Sequence, residues 1–122
     1  MLVRRDTREK RPASLQSLGE DIADTLRKIQ EDMLIAARER REANSIRRKI
    51  SYDDFRALMD GPGGFVYAGW CGSAECEAQI KEETKATIRV LPDEEYRSAE
   101  PPATCLKCGR ASTAEAVWAR AY

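Results

Sequence analysis

Every cysteine of this chain falls into one pattern: Cys71 and Cys76 with four residues between them, then 28 residues, then Cys105 and Cys108 with two between. Two cysteines two to four residues apart can reach one ion from a single turn, and two such pairs complete a tetrahedron. Four thiols at these spacings match the ligand set of zinc. A site closed by four protein ligands leaves no position for water or substrate. It is structural, and its binding energy becomes folding energy. Two alternatives stay open. An iron–sulfur cluster also uses four cysteines, although this spacing differs from the ferredoxin runs. A pair of disulfides suits a secreted chain, but the N-terminus carries charge without an apolar h-region. A cytoplasmic, reducing compartment is the expectation, and there clustered cysteines favour metal.

The neighbours of the cysteines agree with a metal site. Cys71-Gly72 leaves a strongly β-favouring run, Phe65 to Trp70, through a tight turn. Ser73 is placed to cap a helix whose first turn holds Glu75, Cys76 and Glu77, and a helix N-terminus favours a thiolate. Cys105-Leu106-Lys107-Cys108-Gly109 reads as a zinc knuckle, with Lys107 and Arg110 placed to offset thiolate charge.

The chain has 122 residues, of which 34% are charged, so a modest core must serve one small domain and a metal staple would help it. There is no histidine. That excludes imidazole acid–base catalysis, Ser-His and Cys-His nucleophile pairs, and every zinc motif needing imidazole. Lys and Arg total 21 and so do Asp and Glu, which argues against tight non-specific nucleic-acid binding. Basic residues gather in two short runs, Arg4 to Arg11 and Arg38 to Lys49. No apolar stretch reaches the length of a membrane span.

Residues 1–13 have little to bury and read as the tail of an upstream segment. Residues 14–44 read as a long linker helix. Leu15, Leu18, Ile22, Leu26, Ile29 and Met33 recur at spacings of three or four and predict an apolar packing face, with Ser17 and Glu20 at capping-box spacing. Residues 45–122 form the domain proper. Ser45 to Ile50 alternates weakly and predicts a short edge strand. Ser51 opens a second helix that Gly61-Pro62-Gly63-Gly64 stops. Strands are expected over 65–70, 86–91 and 114–119, a third helix from Ser73 to about Thr84, and a loop over 93–104. Alternating strands and helices imply a sheet with helices laid on a face, a two-layer domain.

Several stretches resemble the C-terminal zinc domain of prolyl-tRNA synthetases of the archaeal and eukaryotic type. They are Gly64-Phe65-Val66-Tyr67-Ala68-Gly69-Trp70-Cys71-Gly72 with Glu75-Cys76-Glu77, then Ile80 to Arg89, Cys105-Leu106-Lys107-Cys108-Gly109, and the end Ala119-Arg120-Ala121-Tyr122. Arg4-Arg5-Asp6-Thr7 with Glu9-Lys10 is similar to the exit of that enzyme's anticodon-binding domain, except that Arg8 stands where the family's turn has glycine. The resemblance implies an α+β fold, a two-layer β-α-β-α-β-β sandwich on a four-stranded mixed sheet, preceded by the linker helix. It implies a structural zinc ion, with ATP only in the parent enzyme. The parent activates proline with ATP and transfers it to tRNA(Pro), as a homodimer. The partners it implies are the catalytic and anticodon-binding domains of the same enzyme. It also implies that Tyr122 reaches toward the catalytic domain and brings its carboxylate near the active site.

No class II synthetase catalytic motif occurs in these residues, so no catalytic residue is assigned and the chain reads as a domain of something larger. The competing reading is a freestanding zinc-dependent RNA-binding or adaptor module, with Arg38, Arg40, Arg41, Arg47, Arg48 and Lys49 as its contact patch. The plainer account of that patch is a solvated helix end and edge strand. A dimerisation element built on the long helix is a third reading.

Overall fold

The computed structural model describes residues 1–121, which fall into two compact units, 1–43 and 44–121. In the first, β1 (Leu2–Val3) pairs antiparallel with β2 (Lys10–Arg11), and α1 (Leu18–Ala43) follows. The hairpin closes through Arg4 N–H donating to the Glu9 carbonyl at 2.9 Å and Arg8 N–H to the Arg4 carbonyl at 3.0 Å. Arg8 sits in the left-handed region at φ 65°, the conformation for which glycine is the usual residue. Arg8 therefore adopts a glycine-like conformation at a local conformational cost.

Two arginines fasten the hairpin to α1. Arg4 is buried and pairs with Asp6 at 2.7 Å and with Asp32 at 2.8 Å. Arg11 donates to Asp21 Oδ1 at 2.9 Å and to Thr25 Oγ1 at 3.0 Å. The Arg4 guanidinium holds the Asp6 carboxyl below its ordinary range, and Arg11, then the Ser17 hydroxyl, do the same for Asp21. The contacted line of α1 is thus Asp21, Thr25 and Asp32, spaced by four and seven residues, which one helix face carries. The apolar stripe expected to be the packing face is only partly covered: Leu18 and Ile29 are half-buried, Leu15, Ile22, Leu26 and Met33 are exposed, and α1 has no fully buried residue. The physical reason is that two-residue strands anchored by arginines cover one narrow line of the helix, Leu18, Asp21, Thr25, Ile29 and Asp32, and leave the adjacent apolar side chains open. The helix also starts at Leu18 rather than Ser14. Ser14 Oγ accepts from Gln16 N–H at 3.2 Å, a local bond that competes with helix, and the Ser17 hydroxyl donates to Asp21 Oδ2 at 2.8 Å.

The second unit runs β3 (Ser45–Ile46), α2 (Tyr52–Asp60), β4 (Phe65–Trp70), α3 (Ala74–Thr84), β5 (Ala86–Val90) and β6 (Ala114–Arg120). The sheet order is β3-β4-β6-β5; β3 and β4 are parallel and the other pairs antiparallel. This is the expected four-stranded mixed sheet in β-α-β-α-β-β order. Ser51 caps α2, accepting from Asp54 N–H at 3.1 Å. Phe55 and Met59 of α2 and Ile80 of α3 pack on Val66, Ala68, Ala86, Ala116 and Trp118, the face of the sheet set by period-two alternation. The other face is covered by the chain between β5 and β6. There Arg47 donates to the Tyr96 carbonyl at 3.0 Å while lying 3.7 Å from the centre of the Tyr67 ring, and buried Glu115 accepts from Ser98 N–H at 2.8 Å. That segment is mostly irregular, as expected, with one 3-10 turn at Glu94–Tyr96.

Strand β3 is shorter than the 45–50 run suggests, and this has a structural consequence. It pairs with Phe65 and Val66 only, leaving the far end of the same β4 edge free. Cys105 aligns there with Gly69, and Leu106 N–H donates to the Gly69 carbonyl at 2.9 Å.

Candidate metal centre

Three pieces of this frame present the four cysteines. Cys71 follows the last residue of β4, and Gly72 at φ 80° turns the chain away. Ser73 then caps α3, accepting from Cys76 N–H at 3.4 Å, so Cys76 lies in the first helical turn. The Ser73 carbonyl in turn accepts from the Trp70 indole N–H at 3.1 Å, which locks the strand end to the helix start. Cys105 and Cys108 sit on a knuckle closed by Gly109 N–H to the Cys105 carbonyl at 3.0 Å and Cys105 N–H to the Arg110 carbonyl at 2.7 Å. Gly109 takes φ 69°, which a side chain would resist.

The four Sγ atoms all lie within 4.8 Å of one another. Cys71 Sγ is 3.7 Å from both Cys76 Sγ and Cys108 Sγ. A zinc–sulfur bond of about 2.3 Å requires tetrahedral sulfur–sulfur edges of roughly 3.8 Å, so the donor set fits such an ion in kind and in size. Cysteines 76 and 105 are buried, Cys71 half-buried and Cys108 exposed. The environment splits their acidities. Burial, with the neighbouring thiols, pushes Cys76 up to about 12. The Arg110 side chain, then its backbone N–H, draws Cys108 down to about 6. The arrangement can hold one metal ion with all four protein ligands and no open position, which suits a structural role rather than a catalytic one.

Of the two cations expected near sulfur, only Arg110 is there. Its Nε donates to Cys108 Sγ at 3.4 Å. Lys107 turns to the helices instead, pairing with Glu83 at 2.6 Å and lying 4.2 Å from the centre of the Tyr52 ring, while the Tyr52 hydroxyl donates to Glu83 at 2.8 Å. This clasp ties the knuckle to α2 and α3. The Lys107 pairing, then the Tyr52 hydroxyl, keeps the Glu83 carboxyl below its usual range.

Two supporting residues escaped the reading by motif. Gly69 lies so close to the knuckle that an added Cβ would stand 2.2 Å from the Thr104 carbonyl oxygen. A glycine inside a β-favouring run signals such a close approach. Thr113 N–H donates to the Trp70 carbonyl at 2.8 Å beside Cys71, a contact with no sequence signal. Tyr122, expected to reach a catalytic domain, lies outside the described residues. No helix among the described residues is long and apolar enough to cross a membrane.

The fold and the thiol cluster define a class: small two-layer α+β domains built around four cysteines able to hold a metal. The family described as prolyl-tRNA synthetase, C-terminal, matches residues 52–122. A proline–tRNA ligase of Chlorobium phaeobacteroides is 44% identical over 98% of this chain, and proline–tRNA ligase 2 of Clostridioides difficile is 43% identical over all of it. The prolyl-tRNA synthetase of Cryptosporidium parvum, solved with halofuginone and AMPPNP, superposes with a TM-score of 0.82 at 25% identity over 98% of this chain and 25% of that one. The chain belongs to the prolyl-tRNA synthetase C-terminal family. It spans about a quarter of the length of the curated relatives it matches.

Proposed function

We propose that this chain is the structural zinc domain of a prolyl-tRNA synthetase, and that Cys71, Cys76, Cys105 and Cys108 hold the ion. The observation that carries this reading is the set of 3.7 Å sulfur separations within a domain of this family. Bound zinc would pin the 105–108 knuckle to the β4 end and the α3 start, and so stabilise the domain. The parent enzyme attaches proline to tRNA(Pro) in an ATP-dependent reaction. The domain boundaries follow: 1–13 continuous with an anticodon-binding domain, 14–44 a linker, 45–122 the zinc domain. The exposed Ile22, Leu26 and Met33 of α1 support a connector that packs on other domains of the same synthetase. The parent works in the cytoplasm as a homodimer, and Tyr122 docks near its active site.

Metal analysis of the purified chain tests the centre; the expected result is one zinc per chain, lost with the fold on strong chelation. A preparation without zinc, folding unchanged in chelator, refutes it. Deleting Tyr122 from the complete enzyme tests the docking role: aminoacylation falls while zinc stays bound. An unchanged rate rejects that role alone.

A further inference from the structure

Four thiolates around a divalent ion leave a net double negative charge, which outer contacts must balance. The sulfurs are not equally protected. Cys76 and Cys105 lie inside, whereas Cys71 and Cys108 form the accessible edge, 3.7 Å apart. Arg110 straddles that edge. Its Nε donates to Cys108 Sγ at 3.4 Å, and a terminal nitrogen of the same guanidinium lies 3.9 Å from Cys71 Sγ. The side chain starts from a rigid base, because the Arg110 carbonyl accepts the bond from Cys105 N–H that closes the knuckle. The other cation of the knuckle, Lys107, does not share the task, since it is held by Glu83 and Tyr52. Glu75, bonded to Ser73, is the acid that feels Arg110.

We infer that Arg110 is the retention residue of the metal centre: a positioning side chain that seals the one edge through which a competing ligand or an electrophile can reach the sulfurs. The inference rests on the zinc reading above. Its chemistry is that of N–H donors on thiolate sulfur. They draw charge from the sulfur, weaken it as a nucleophile, and neutralise part of the excess charge. A planar fork of several donors suits two neighbouring sulfurs better than a single ammonium does. Bulk adds to this, since the guanidinium occupies the approach to Cys108.

The test uses the zinc-loaded chain and measures the first-order rate of zinc transfer to an excess of chromogenic chelator. Arg110→Ala is expected to release zinc about tenfold faster or more, in line with the 10–100-fold effects of outer contacts on metal sites. Arg110→Lys falls between, keeping one donor, and with Arg110→Gln it preserves the comparison if the alanine variant fails to fold. Cobalt-loaded protein supplies a second readout. Loss of the N–H···S contact shifts the sulfur-to-cobalt charge-transfer band in Arg110→Ala, and Arg110→Lys restores part of it. A wild-type release rate in Arg110→Ala overturns the inference. So does faster release with an unshifted band, which would mean a loosened knuckle. A wild-type chain that takes up no zinc overturns the metal-centre reading itself, a different outcome.

Discussion

Residues 1–43 bury no apolar side chain, whereas residues 44–121 bury eight in one cluster. The first unit is held by paired arginines and a short ladder: Arg4 to Asp6 and Asp32, Arg11 to Asp21 and Thr25. The second is held by an apolar interior and by four sulfurs that draw a knuckle to a strand end. Ion pairs are screened by salt and lost in acid; apolar burial and thiolate coordination are not screened in this way. The two units therefore respond to different perturbations, and each response can be read separately from amide exchange.

The largest difference should come from the sulfurs. Removing metal with a strong chelator, or replacing Cys76 by Ser, is expected to abolish protection across β4, α3 and the knuckle. The α1 amides keep theirs. Structural zinc contributes on the order of 10 kcal/mol in small domains, more than a core of this size can replace. Protection in β4 that survives in chelator would place the stability of residues 44–121 in the apolar cluster alone.

The next effect belongs to that cluster. Phe55 and Trp118 are fully buried, and Phe55→Ala leaves a cavity between α2 and the sheet. A loss of about 3–5 kcal/mol is expected, read from denaturant unfolding followed by tryptophan fluorescence. A loss under about 1 kcal/mol would mean that α2 closes over the gap, and that the metal rather than the packing orders this unit.

Salt should reverse the contrast. Raising sodium chloride to about 1 M shortens the screening length to about 3 Å, and Arg4 and Arg8 amides should then exchange several-fold faster while β4 and β6 amides do not change. Acid also weakens the hairpin's pairs, but it protonates the four thiolates and releases metal as well, so salt rather than acid separates the two units. The Asp6 and Asp21 carboxyls are held below their ordinary range by Arg4 and Arg11. Their contribution is complete above the ordinary aspartate value and is lost as pH falls through the lowered ones. Hairpin protection that is indifferent to both would assign its stability to the backbone ladder.

What could be read in advance follows the same division. Cysteine spacing named the four sulfurs that converge, and β-favouring runs with their caps marked β4, α2 and α3, because these signals are local. The helical period of α1 was equally legible, yet the partner of its stripe was not: periodicity says that Ile22, Leu26 and Met33 share a face, not what covers it. Lys107 was misread for a related reason. Proximity in sequence placed it beside sulfur, but a long side chain goes to the strongest partner within reach, and Glu83 is twenty-four residues away. The role of Gly69 needed the position of Thr104, which only the folded chain supplies.

The smallest effects sharpen the comparison most, because the same strain occurs once in each unit. Arg8 and Lys85 both adopt left-handed φ, at 65° and 62°. A side chain there costs about 1–2 kcal/mol, and glycine returns roughly 0.4–1 kcal/mol of that as entropy of the unfolded chain. Arg8→Gly and Lys85→Gly should therefore each stabilise by about 0.5–1 kcal/mol. The readouts should differ. Lys85 ends α3, its N–H donating to the Lys81 carbonyl at 2.9 Å, inside the cooperative core, so Lys85→Gly should raise the global unfolding midpoint. Arg8 lies in a hairpin that opens locally, so Arg8→Gly should slow exchange of the Arg4 and Arg8 amides and leave that midpoint alone. If Arg8→Gly instead moves the global midpoint, the two units unfold as one, and the separation argued from their interiors fails.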